Sequence, residues 1–132
     1  RIAVLLLFLF CITVVGFAQT CRDKNNMTIG KIESDGTVRN ASNMKIGCFD
    51  RGVIRDASKM KIGSIDGSTI RDKNNMKIGS VESNGTVRDA SNMKIGSVER
   101  NGTVRDKSNM KIGSADGVNA TYAAVFYFFN LF

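Results

Sequence analysis

Apolar and polar positions fall into three regimes along the chain. An apolar run covers Ile2 to Phe17, short alternations recur every 16 or 17 residues from Thr20 to about Asp116, and beyond Gly117 the chain turns apolar and aromatic. In the middle regime the units begin at Arg22, Arg39, Arg55, Arg71, Arg88 and Arg105, and their clearest copies are RDKNNMKIGSVESNGTV (71 to 87) and RDASNMKIGSVERNGTV (88 to 104). Repetition at a fixed short period implies one supersecondary unit used many times. Within each unit, β-branched residues bounded by turn formers predict two short strands, one around Met-Lys-Ile-Gly-Ser-Val and one around Gly-Thr-Val-Arg-Asp. Asn-Gly or Asp-Gly between them suits a tight hairpin turn. The other connection, Asp-Ala-Ser-Asn or Asp-Lys-Asn-Asn, suits turns in which an Asp or Asn side chain accepts nearby backbone N–H groups. The second and third copies each lose one residue, near Arg51-Gly52 and Asp66-Gly67, as only a surface turn tolerates. A helical reading fails because Gly recurs about every eight residues and interrupts every helix-favouring run.

Strict alternation along these strands assigns Met27, Met44, Met60, Met76, Met93 and Met110 to an apolar interior. With them go Ile29, Ile46, Ile62, Ile78, Ile95 and Ile112, together with Val38, Ile54, Ile70, Val87 and Val104. Lys45, Lys61, Lys77, Lys94 and Lys111 then lie on the opposite face with the repeat arginines. No single hairpin can bury its apolar side alone, so the units must share one core. Tight turns on both sides of every strand favour an antiparallel meander, and closing it round an axis removes the exposed edges. The expected fold is therefore all-β, six repeats closed into a shallow barrel. The aromatic tail, with Phe126, Phe128, Phe129 and Phe132, is expected to pack at its centre as a plug.

The N-terminal run follows Arg1, is just short of the ~18 residues usual for a spanning helix, and ends in Gly16-Phe17-Ala18, small residues where a signal peptidase needs them. This predicts an export signal over 1–18 cleaved after Ala18, a repeat domain over 19–116 and a hydrophobic tail over 117–132. The destination would be the periplasm or the cell surface. Loss of Arg1 changes the net charge of +7 to 18 basic against 12 acidic side chains. A basic exported surface is compatible with an envelope protein, an anionic surface or an apolar ligand as partner. Nucleic acid is not expected, because no aromatics interleave with the basic positions. Cys21 and Cys48 remain after the signal; they replace different repeat positions, which favours two separate thiols over a bridge. Ala18-Gln19-Thr20 does not provide the small residue directly before Cys21 that lipidation requires.

Catalysis is not expected. The chain has no histidine, the usual general base, and its carboxylates recur at equivalent repeat positions instead of forming a singular pair. No metal or other cofactor is expected either: Asp-x-x-Asn lacks the dense acidic spacing of a calcium loop. A membrane-spanning β-barrel would need strands of ~9 to 11 residues with a lipid-facing apolar band, and these have five or six.

The unit GTVRDASNMKIGSVERNGTVRD (85 to 106), preceded by an export signal and followed by an aromatic tail, resembles the bacterial β-flower proteins over nearly the whole mature chain. The resemblance implies short hairpins set like petals around a shallow apolar barrel in an exported protein with no established activity. Four or five petals are usual there, against six units here. Two kinds of function stay open: a structural or interaction module of the cell envelope, and a carrier of an apolar group in the barrel mouth.

Overall fold

The computed structural model describes residues 19–132, so the expected export segment and its cleavage site lie outside the described residues. Twelve strands follow one another in the described chain: β1 (Thr20–Asp23), β2 (Thr28–Ile32), β3 (Thr37–Asn40), β4 (Lys45–Asp50), β5 (Val53–Asp56), β6 (Lys61–Asp66), β7 (Thr69–Asp72), β8 (Lys77–Val81), β9 (Thr86–Asp89), β10 (Lys94–Val98), β11 (Thr103–Asp106) and β12 (Lys111–Ala115). Each pairs antiparallel with its sequence neighbours, and β1 pairs with β12 through Cys21 opposite Ala115, which closes the barrel.

The two kinds of connection lie at opposite ends. At one end, Gly36, Gly85 and Gly102 take positive φ (96°, 93° and 92°), and each N–H is donated back to a Glu carbonyl, as in Gly36 N to Glu33 O at 2.9 Å. The Asn or Asp before each glycine keeps a negative φ, so the turn is the longer kind with a single left-handed residue. Where the repeat is one residue shorter the turn tightens. Arg51 and Gly52 are both at positive φ, which is the two-residue turn whose twist matches the flanking strands.

The first core ring is the Val position of Thr-Val-Arg. Val38, Ile54, Ile70, Val87 and Val104 are fully buried, with Cys21 in the same slot of the first unit. A second ring, Ile32, Phe49, Val81, Val98 and Ala115, lies next to it. The methionines are a correction to the expected interior: Met27, Met44, Met60, Met76, Met93 and Met110 are each 64–65% exposed. Ile46, Ile62, Ile78 and Ile95, expected in the same interior, are only half-buried and pack against the core cluster without belonging to it.

A β-bulge is the reason. In every hairpin of the type β3–β4 the register slips by one residue, so that Val38 faces Gly47 while Arg39 faces Lys45, and Ile46 stands opposite nothing. The extra residue resets the period-2 alternation. Gly47 and Phe49 therefore take the interior positions that unbroken alternation gives to Met44 and Ile46. Ile54→Ala should accordingly cost ~2–5 kcal/mol of stability, and Lys61→Ala less than about 0.5 kcal/mol. Denaturant unfolding checks both, and equal losses would mean that the two faces are misassigned.

Candidate functional site

The end opposite the glycine turns is built from six copies of one loop. Asp23 Oδ1 accepts from the backbone N–H groups of Asn25 and Met27, both at 2.9 Å, and Asp23 N–H is donated to Met27 O at 2.9 Å. Asp56, Asp72, Asp89 and Asp106 repeat this arrangement and Asn40 reproduces it with its amide oxygen. The carboxylates are thus occupied by the loop backbone. The residue before each methionine is left-handed, at φ between 67° and 69°: Asn26, Asn43, Asn75, Asn92 and Asn109, with Lys59 in the third unit. Asn accepts that conformation at little cost. Each methionine follows it as the last loop residue, before the strand begins, and its side chain is left in solvent.

Charge is distributed unevenly between the ends. Beside the methionines stand the exposed strand-start lysines Lys45, Lys61, Lys77, Lys94 and Lys111 and the exposed loop lysines Lys24, Lys59, Lys73 and Lys107, nine cations against the five loop aspartates. The turn end carries seven acids, Glu33, Asp35, Asp50, Asp66, Glu82, Glu99 and Asp116, against Arg51 and Arg100. The repeat arginines form a waist between them. Arg88 Nε reaches Glu82 Oε2 at 3.0 Å on the turn side while its Nη1 donates to Asn92 O at 3.3 Å on the loop side, and Arg39 and Arg105 do the same. These part-exposed pairs add little stability individually. Asp35 shows a local effect: the Thr37 N–H donated to it holds its carboxyl below the ordinary value.

The C-terminal segment starts at the turn end, where Asn119 Oδ1 accepts from Thr121 N at 2.9 Å and Tyr122 N at 3.2 Å and so caps α1 (Ala120–Ala124). A π-helical turn over Val125–Phe129 follows, ended by left-handed Asn130. Ala123, Ala124 and Val125 are fully buried. The next residues meet the repeat glycines one by one. Phe126 lies against Gly30, Tyr127 against Gly113, Phe128 against Gly96, Phe129 against Gly79, Leu131 against Gly63 and Phe132 against Gly47. One circuit of the tail thus reaches all six repeat units.

The helical geometry has a physical reason. An α-helix advances about 100° per residue, which overshoots the sixth of a turn separating neighbouring units. A π turn holds more residues per turn and brings successive side chains nearer to that spacing. Tyr127 Oη lies 2.6 Å from Arg22 O and 2.8 Å from Ser114 O, so its single proton is shared across the β1–β12 closure. Phe49 stacks on Tyr122 with centroids 4.0 Å apart and meets Phe132 edge-on at 5.5 Å.

Sequence reasoning named Phe126, Phe128, Phe129 and Phe132 but missed Tyr127, Leu131 and the six glycines. The signal was available: a glycine recurring inside a strand marks close approach by another group, and residues 126–132 offer six large side chains to six units.

Cys21 and Cys48 are both free. They occupy the inward Val slot and the outward Ser slot respectively, so alternation keeps them apart. Burial pushes the Cys21 thiol up to about 12, against a smaller opposing effect of the Tyr127 hydroxyl, and burial likewise pushes the Tyr127 phenol up. On the outer wall beside Cys48 there is a groove of about 490 Å3 that includes Asp35, Lys45 and Arg55. Among the described residues no three His, Cys, Asp or Glu side chains come together as a metal site would require.

No curated protein and no solved structure matches the chain. A family model described as a 5-fold beta-flower protein matches residues 18–131. The described residues contain six repeat units where that description counts five. With the match running over nearly the whole length, from two residues before β1 to the penultimate residue of the tail, the chain belongs to the β-flower family.

Proposed function

We propose that this protein is a non-catalytic interaction module of the bacterial cell envelope, exported by residues 1–18, that acts through the outside of its barrel while the tail serves as a permanent central plug. The observation that carries this reading is the set of tail contacts. Side chains from 126 to 132 occupy the space in front of all six repeat glycines, which is the space an apolar cargo would need. A carrier would have to expel its own C-terminus to load. The carboxylates support the same reading, since those of the loops are bonded to backbone and five of those at the turns pair with arginines.

Fractionation of the source cells with intact-mass measurement tests both halves. The expected protein begins at Gln19, is found with the envelope or the medium, and carries no stoichiometric small molecule. Retention of Ile2–Phe17 would replace export by anchoring, and an apolar molecule recovered in equal amount would replace the plugged module by a carrier.

A further inference from the structure

The six exposed methionines are the large apolar side chains that the described surface leaves in water, and the repeat brings all of them to one end of the barrel. Apolar groups gathered at one site on a soluble surface mark an interaction face. Three features of this end narrow the occupant. Lysines flank the methionines, nine against five aspartates whose carboxylates already accept loop N–H groups, whereas the opposite end is acidic. The complementary surface is therefore anionic. Its apolar component must accept thioether side chains, which are flexible and polarizable, while long lysine stems keep their ammonium groups in water beside them. Finally, six near-identical loops present no singular shape for a protein epitope to match. They suit a surface that is uniform in every lateral direction.

We infer that the methionine end of the barrel docks on an anionic lipid bilayer, with the six methionines entering the headgroup and upper acyl region and the lysine ring held at the phosphates. This rests on the reading of the chain as an envelope interaction module and names the surface it engages. Apolar insertion and lysine attraction act together in such interfacial binding, and both are needed where each is small. The face is prepared in advance, because every loop is fixed by two hydrogen bonds to one carboxylate or amide oxygen. Both ends of the barrel strands' chain path, Thr20 and Ala115, lie at the opposite end.

Oxidative footprinting tests this on the protein as recovered from its cells, with each methionine followed by peptide mass spectrometry during exposure to dilute peroxide. Vesicles of phosphatidylcholine containing phosphatidylglycerol should slow oxidation of all six methionines several-fold. Pure phosphatidylcholine should not, and high salt should abolish the protection by screening. The variant M44Q/M76Q/M110Q changes exposed side chains only, so it should unfold like the parent yet bind the anionic vesicles about tenfold more weakly or worse. Equal oxidation rates with and without anionic vesicles overturn the inference, as does equal protection by neutral lipid. Protection by a soluble acidic polysaccharide but not by vesicles would overturn the lipid assignment and leave the interaction module standing. Absence of protection by any fraction of the isolated envelope would remove both. Should the triple variant misfold, the site-resolved oxidation of the parent decides alone.

Discussion

A chain ending at Ala120 will unfold at a far lower denaturant midpoint than the parent and will bind a hydrophobic dye that the parent does not. Residues 121–132 contribute three fully buried side chains, Ala123, Ala124 and Val125, and six half-buried large ones set against the repeat glycines. At ~1.5–3 kcal/mol for a fully buried large apolar side chain and a fraction of that for a half-buried one, the total removed is about 5 kcal/mol or more. That approaches the whole stability of an ordinary domain, about 5–15 kcal/mol. The strand ladder itself does not include the tail, so the truncated chain should keep much of its β circular-dichroism signal while losing its fixed interior. If the truncation proves unfolded, Tyr127→Phe gives a graded version, since it deletes only the bonds to Arg22 O and Ser114 O and should cost about 1 kcal/mol. A truncated chain as stable and as dye-silent as the parent would rule out the plug. The aromatic segment would then be a separate docking element.

The backbone plan was legible because the repeat writes it out. Six arginine starts, the Asp or Asn at each loop and the glycine at each turn give strand number, antiparallel order and closure. The single-residue losses at Arg51-Gly52 and Asp66-Gly67 fall at hairpin turns, as surface deletions should. The valine ring was also legible, since Thr-Val-Arg alternates without interruption. What misled was the assumption that alternation continues from Met44 through Ile46. The bulge there is invisible in composition, because Met-Lys-Ile-Gly reads as an ordinary half-buried strand. Only the facing register shows that Ile46 has no partner and that the methionine belongs to the loop. The tail's helix was equally hidden. A run of twelve mostly apolar residues carries no period, so its helical turn is decided by the cap at Asn119 and by the spacing of the sockets it meets.

Those sockets can be tested one by one, and the expected result differs among them. A methyl group added at Gly96 would fall inside contact distance of both Arg105 O and the Phe128 ring, whereas at Gly63 it would stand 2.7 Å from Arg71 O and 3.0 Å from Leu131 Cδ1. Backbone cannot yield to the methyl group at either site. A phenyl ring is rigid, however, while the end of a leucine can rotate away. Overpacking of a filled interior costs typically 1–3 kcal/mol, and Gly96→Ala should lie at or above the top of that range, with Gly63→Ala near the bottom. Double-mutant cycles then separate the two causes of strain. Phe128→Ala should recover part of the loss in Gly96→Ala, giving a coupling of about 1 kcal/mol or more, while Leu131→Ala should recover little at Gly63 because little is lost there to the side chain. Gly96→Ala with no coupling to Phe128 would mean that the cost is all backbone, and that the ring seated over Gly96 does not hold the tail in register with the repeats.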